Sequence, residues 1–142
     1  MKYKSIYNAY FSLFILVFLF GCNNDYKQML SNVSKIKIIA HIDENENYNR
    51  ENYFVELIEK REIKNFNKFM KTRSFPITPC GFIDGWIEFY DINNNLLINS
   101  RFNFQCRQMI FNYNNTHYDI EILDEGIIYL KNIIEKIMEK IQ

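Results

Sequence analysis

The sequence predicts a single α+β domain, an antiparallel meandering β-sheet packed by an internal helix and a C-terminal amphipathic helix. Three observations predict it. Apolar and polar residues alternate from Lys35 to Ile42, and again along the segments between Phe82 and Ile122, which is the period of a half-buried strand. Asparagine-rich turns separate these segments. The apolar spacing switches to a helical one around Ile63–Met70 and again from Ile127 to Ile141. Helices flanking such a meander bury their stripes on one sheet face.

The elements follow in order. Residues 25–32 are polar and read as a tether with one helical turn. Lys35–Ile42 places Ile36, Ile38, Ala40 and Ile42 on one face of a strand, and Lys35, Lys37 and His41 on the other. Residues 43–52 are charged and Asn-rich, a loop. Tyr53–Ile58 is a short strand with Tyr53, Val55 and Leu57 on one side. Ile63, Phe66, Phe69 and Met70 form one helical face, so a helix is expected from Lys60 to Thr72, ended by the two prolines at Pro76 and Pro79. A hairpin follows: strand Phe82–Asp91, turn Asn93–Asn95, strand Leu96–Cys106. On the second strand Leu96, Ile98, Phe102, Phe104 and Cys106 are expected to share one face, and Leu97, Asn99, Arg101, Asn103 and Gln105 the other. Gln108–Tyr113 turns at Asn114-Asn115 into His117–Ile122, with Tyr118, Ile120 and Ile122 inward. Asp124 is expected to cap the last helix, whose stripe is Ile127, Leu130, Ile134, Ile137 and Ile141.

The N-terminus carries a different kind of signal. Lys2 and Lys4 precede a run of about a dozen apolar residues, broken by Ser12, and Gly21-Cys22 closes it. A basic start, a short apolar stretch and a small residue before the cut are the marks of an export signal. The run falls short of the roughly 20 residues that a membrane-crossing helix needs. Leu19-Phe20-Gly21-Cys22 resembles a bacterial lipobox, in which Leu, Gly and Cys occupy the matching places and Phe20 stands where a smaller residue is usual. The resemblance implies cleavage before Cys22 and diacylglycerol on its sulfur. Residues 1–21 would then be the signal peptide, 22–32 a lipidated tether, and 33–142 the single domain. Two or more acyl chains hold a protein on a bilayer where one does so only marginally. Asn23 and Asn24, rather than Asp, favour the outer membrane if the envelope is Gram-negative.

Removing the signal takes Lys2 and Lys4 with it, so 17 basic residues become 15 against 17 acidic ones in 121 residues. No basic surplus exists to grip nucleic acid. Cys80 and Cys106 remain after Cys22, and an exported chain meets an oxidising compartment, so a disulfide between them is expected. Two small buried thiols are the alternative. No Cys-x-x-Cys is present, and His41 and His117 are the only histidines, which gives little basis for a metal site. No metal and no cofactor are expected.

Cys80-Gly81-Phe82-Ile83-Asp84-Gly85-Trp86 gathers two of the four glycines and the single tryptophan. It reads as a tight approach to the hairpin, or as a recognition loop presenting Trp86. Continued through Ile87 to Tyr90 and followed by an Asn turn and a second cysteine, it resembles small uncharacterised lipoproteins of the bacterial envelope, over about residues 63–130; the resemblance implies no activity. His41-x-Asp43 and His117-x-Asp119 each place two polar groups on one strand face, and Asp43, Glu44 and Glu46 form an acidic loop without EF-hand spacing. No nucleophile elbow, phosphate loop, His-Glu-x-x-His or dinucleotide glycine pattern occurs.

The expectation is a non-enzymatic, membrane-anchored envelope protein that binds a protein partner or envelope component. The candidate contact surface is Trp86 with Asn99, Arg101, Asn103 and Gln105. Two alternatives stand beside it: an immunity or inhibitor protein acting on a toxin or hydrolase, and a small enzyme using His41 or His117.

Overall fold

The computed structural model describes residues 24–41, 53–72 and 80–140. Cys22, Asp43, Glu44, Glu46 and the export-signal segment lie outside the described residues. The chain divides into two compact units, Met1–Ser31 and Asn32–Gln142. The first contributes helix α1, Asn24–Ser31, in the stretch expected to be a tether with a single helical turn. Ser31 Oγ donates to the Gln28 carbonyl at 2.6 Å, closing the last turn of that helix.

The second unit is an open, seven-stranded antiparallel sheet with helices, the α+β arrangement that the alternation and the two amphipathic stripes predict. Its strands are β1 (Lys35–Ala40), β2 (Phe54–Leu57), β3 (Met70–Thr72), β4 (Gly85–Tyr90), β5 (Leu96–Asn103), β6 (Gln108–Tyr113) and β7 (Thr116–Ile122). Helices α2 (Lys60–Lys68) and α3 (Asp124–Glu139) complete it. The spatial order is β2-β1-β4-β5-β6-β7-β3, with every pairing antiparallel. β4 to β7 form the meander. β2 and β3 occupy opposite edges, so α2, which joins them, carries the chain from one side of the sheet to the other.

Pleating sends alternate side chains to opposite faces. Ile36, Ile38, Leu57, Ile87, Phe89, Ile98, Phe102, Met109, Ile120 and Ile122 line one face and are buried. Against them stand Ile63 and Phe66 of α2 and Gly126, Leu130, Ile133 and Ile137 of α3. Phe66 packs on Phe89 at 6.3 Å and on Tyr129 at 6.2 Å between ring centres, which ties both helices to the sheet centre. Phe111 and Tyr118, cross-strand partners, stack at 5.1 Å. Ser100 also belongs to this face, and its hydroxyl donates to the Ile87 carbonyl at 2.7 Å, so its burial leaves no unmet donor.

The asparagine turns behave as their chemistry demands. Asn114 and Asn115 have φ 47° and 58°, the left-handed geometry that a two-residue hairpin turn needs, and Asn94, in the five-residue connection between Tyr90 and Leu96, has φ 63°. In the first turn Asp91 does the holding: its Oδ1 accepts from the Asn93 and Asn95 amides at 2.9 and 2.8 Å, and Oδ2 accepts from Asn95 Nδ2 at 2.9 Å.

Four expectations are corrected. The helix begun at Lys60 stops at Lys68, because Met70–Thr72 pairs with β7 as an edge strand, Met70 opposite Ile122. A sheet edge offered backbone partners that the helical pattern of Phe69 and Met70 does not reveal. Leu96 is exposed and off the core face, because the register shifts between Phe89 and Tyr90: Phe89 faces Ile98, but Tyr90 faces Leu96. A bulge of this kind flips the alternation beyond it. The strand ends at Asn103, so Phe104, Gln105 and Cys106 sit in a turn that continues to Arg107, itself at φ 53°. Asp124 is not the cap of α3; Leu123 is, without a side-chain bond, and the Asp124 carboxylate pairs with Arg107 at 3.0 Å.

Candidate functional site

The face opposite the helices is the one available for recognition. Lys35, Lys37 and Ile39 of β1 point there, followed across the sheet by Trp86, Glu88 and Tyr90 of β4, Asn99, Arg101 and Asn103 of β5, and Gln108, Ile110 and Asn112 of β6. His117, Asp119 and Glu121 of β7 complete the row. None of these sites needs a special loop; each follows from the pleat and the register.

At its centre is an open hollow of about 390 Å³, lined by Trp86, Asn99, Ser100, Arg101, Ile110, Phe111, Asn112 and His117. Trp86, Arg101 and Ile110 stand in one cross-strand row, since Trp86 pairs with Arg101 and Arg101 with Ile110. The half-buried indole meets the His41 ring edge-on, 5.3 Å between centres. His117 Nδ1 lies 3.0 Å from Asn112 Oδ1. The lining has the guanidinium as its formal charge and contains no carboxylate.

Toward β1 and β2 the same face is organised by ion pairs and ring contacts. Lys35 Nζ is 3.4 Å from Glu56 Oε1 and sits 4.4 Å above the Tyr90 ring. Lys37 Nζ lies 4.2 Å above the Phe54 ring. Tyr90 donates to Glu88 Oε2 at 2.7 Å. Burial, then that hydrogen bond and the negative charges of Glu88 and Glu56, push the Tyr90 hydroxyl up to about 12.

At the other end of the face, polar side chains are buried because Cys80–Asp84 crosses beside them. Asn103, 5% exposed, donates from Nδ2 to the Phe82 carbonyl at 2.8 Å and accepts from the Cys106 amide at 2.8 Å. Asp84 Oδ2 accepts from the Phe104 amide at 2.7 Å. Gln108 donates from Nε2 to Asp119 Oδ2 at 2.9 Å, and its Oε1 accepts from the Cys80 amide at 3.4 Å. Cys80 and Cys106 stand at disulfide distance, with Cα atoms 6.3 Å apart. A second hollow of about 570 Å³ opens beside this corner, lined by Phe82, Ile83, Asp84, Asn103, Phe104, Gln105 and Lys131.

The residues singled out in the sequence therefore divide. Trp86, Asn99 and Arg101 come together around the central hollow. Gln105 is exposed in the turn beside the second hollow, and Asn103 is a buried clamp between that turn and Phe82. His117 and Asp119 share a face but have different partners, Asn112 and Gln108. Among the described residues no group of three or more His, Cys, Asp and Glu side chains could hold a metal ion, and no helix is long and apolar enough to cross a membrane. Asn112 and His117 join the site through the β6–β7 register, which their Asn114-Asn115 turn sets; the turn signal was in the sequence, and their meeting with Trp86 was not. Arg107 was also unmarked. It pairs with Asp124 at 3.0 Å and lies 3.9 Å from Glu121, fastening the start of α3 to β7.

No protein-family model, no curated protein and no solved structure matches this chain.

Proposed function

We propose that this chain is a non-enzymatic lipoprotein of the bacterial envelope, anchored through acylated Cys22, whose α+β domain binds a protein partner with the open face of its sheet. The observation that supports the binding reading is the asymmetry of that sheet. One face is sealed by α2 and α3, while the other carries an open hollow lined by Trp86 and Arg101, two of the three residue types most enriched where binding energy concentrates. The anchor reading is supported by Lys2, Lys4, the apolar run and Leu19-Phe20-Gly21-Cys22.

The test has two parts. Full-length protein and a Cys22→Ala control are expressed in a bacterium and the cells fractionated; retention of the first and release of the second is the expected result. Photo-crosslinking of the membrane-bound protein is then compared with a Trp86→Ala/Arg101→Glu variant of unchanged circular dichroism. A crosslinked protein that disappears in the variant is expected. Turnover of a cell-wall or lipid substrate by the purified protein would overturn the non-enzymatic reading.

A further inference from the structure

Six large apolar side chains are exposed among the described residues: Phe82 stands at the Cys80–Asp84 end, Ile128 and Met138 lie on α3, and the other three stand together. Ile92 is 84% exposed, Ile58 66% and Leu96 51%, and the strand register puts all three at one end of the sheet. Lys35, the first residue of β1, pairs with Tyr90, the last of β4, and Tyr90 faces Leu96, the first of β5. Ile36 pairs with Leu57, so Ile58 leaves β2 at that same end. Ile92 follows Tyr90 by two residues, in the turn that Asp91 holds. The three side chains extend from four adjacent strands, a width of roughly 15 Å at the usual strand spacing.

The chain joins the sheet at this end as well. The Ser34 amide donates to the Tyr90 carbonyl at 2.8 Å, immediately before β1. Only nine residues separate Cys22 from Asn32, and the eight from Asn24 to Ser31 are helical, which at 1.5 Å per residue covers about 12 Å. An anchor at Cys22 would therefore limit how far the Ser34 end can stand from the bilayer. The Cys80–Asp84 end lies one strand length from the Ser34 end, about 20 Å for the six residues of β4.

We propose that this end of the sheet docks on the lipid surface that holds Cys22, with Ile92, Leu96 and Ile58 set into the boundary between headgroups and acyl chains. The proposal rests on the lipid-anchor reading. Side chains of this kind gain from leaving water at an interface. Two or three of them bind a free domain weakly, but a short tether holds them at millimolar effective concentration, which suffices to populate the docked state. Lys60 and Arg61, both exposed, follow Ile58 and suit an anionic surface, while exposed Glu59 and Glu62 on either side of them offset that attraction, so apolar insertion carries the contact. Asp91 keeps its negative charge, since its hydrogen bonds to Asn95 and Asn93 favour the carboxylate, and it too offsets part of the attraction to an anionic surface.

The experiment uses full-length protein purified from a bacterium, reconstituted into phosphatidylethanolamine–phosphatidylglycerol nanodiscs carrying a gadolinium-chelate headgroup lipid. Mass spectrometry reads acylation of Cys22, and methyl NMR reads paramagnetic broadening. The expected result is acylated protein in which Ile58, Ile92 and Leu96 methyls broaden several-fold more than Ile83, at the far end, and Ile128, on the outer side of α3. An Ile92→Ser/Leu96→Ser variant, altered only at exposed positions, is expected to lose most of the broadening at Ile58. Acylated protein with even broadening, or with Ile83 broadened most, overturns the docking and leaves the anchor standing. Broadening at Ile58 that survives the double substitution also overturns it, since proximity without insertion would then explain the effect. Absence of acyl mass on Cys22 overturns anchor and docking together.

Discussion

The two faces of the sheet are built from the same strands and obey different rules. On the helix-covered face nearly every position is aliphatic or aromatic, and position follows from alternation alone: Ile36, Ile38, Ile87, Phe89 and Ile98 are each under 3% exposed. On the open face, chemistry varies along each strand. Arg101 and Asn99 lie in the open, while Asn103, two residues on from Arg101, is buried. The difference lies in what covers each face. Two amphipathic helices seal the first with apolar stripes. The described segment that reaches the second, Cys80–Asp84, contributes backbone carbonyls and amides and the Asp84 carboxylate, so the groups beside it must be hydrogen-bonding ones. A polar residue on the open face can therefore be a contact or a clamp, and only the chain crossing beside it decides which.

The largest expected effect tests the division directly. Phe102→Ala removes a ring 1% exposed from the covered face, and truncation of a buried Phe costs about 3–5 kcal/mol. Trp86→Ala, on the open face, loses a half-buried ring and its edge contact with His41, worth about 1–2 kcal/mol. Urea denaturation of the two variants checks the ordering. A Trp86 cost equal to that of Phe102 would mean that the open face is a second core and not a recognition surface.

Next in size is the corner that covers the open face. Cys80 and Cys106 are 26 residues apart in sequence, and closing a loop of that length stabilises by about 3–4 kcal/mol in the chain-entropy account. A Cys80→Ser/Cys106→Ser variant is expected to lose that much in denaturation, and the wild type to lose the same on adding reductant. Amide exchange should then rise at Cys106 and Phe104, whose N–H groups are held by Asn103 and Asp84, while Ile87 and Phe89 stay protected until global unfolding.

A smaller effect belongs to Gly85, which joins the two regions because it begins β4 directly after the crossing segment. A methyl group there would run into the Ile39 carbonyl oxygen and stand 2.7 Å from Cε1 and Cζ of Phe102. Gly85→Ala is expected to cost about 2–3 kcal/mol through overpacking. The ring can retreat and the backbone carbonyl cannot, so adding Phe102→Leu should restore only part of the loss. Full restoration in a double-mutant cycle would show that the ring alone sets the limit.

These positions also show what a single sequence exposes. Alternation places Ile36, Ile38, Phe102 and Ile120 correctly, and asparagine's tolerance of positive φ locates the turns at Asn94 and at Asn114-Asn115. Periodicity fails where pairing between distant segments overrides a local pattern. Phe69 and Met70 continue a helical stripe, yet Met70 joins β7. Leu96 fits the alternation of its strand, yet the bulge turns it outward. Three of the five candidate surface residues are legible for the same reason: Trp86, Asn99 and Arg101 depend on pleat and register. Asn103 has the same parity as Arg101, and its burial follows from Phe82 lying beside it, a contact made across 21 residues.

The smallest expected effect lies on the open face beside β1 and concerns Tyr90. Its hydroxyl, ordinarily near 10, is pushed up to about 12 by burial first and then by the bond to Glu88 and the charges of Glu88 and Glu56. Between these values the unfolded chain has released the proton and the folded one has kept it. The unfolded state then binds fewer protons, so stability falls with rising pH. The contribution is fully present below pH 10 and lost as the pH climbs toward 12. Tyr90→Phe, which cannot ionise in either state, is expected to flatten this limb of the stability curve while forfeiting the 2.7 Å bond to Glu88 at all lower pH values. Denaturant midpoints measured at pH 8, 10 and 11.5 read the difference. The effect is modest because the ring is half open to water, and its size is itself informative. A steep alkaline loss would mean that the Tyr90 side of the open face is sealed in solution, and that recognition is confined to the hollow around Trp86 and Arg101.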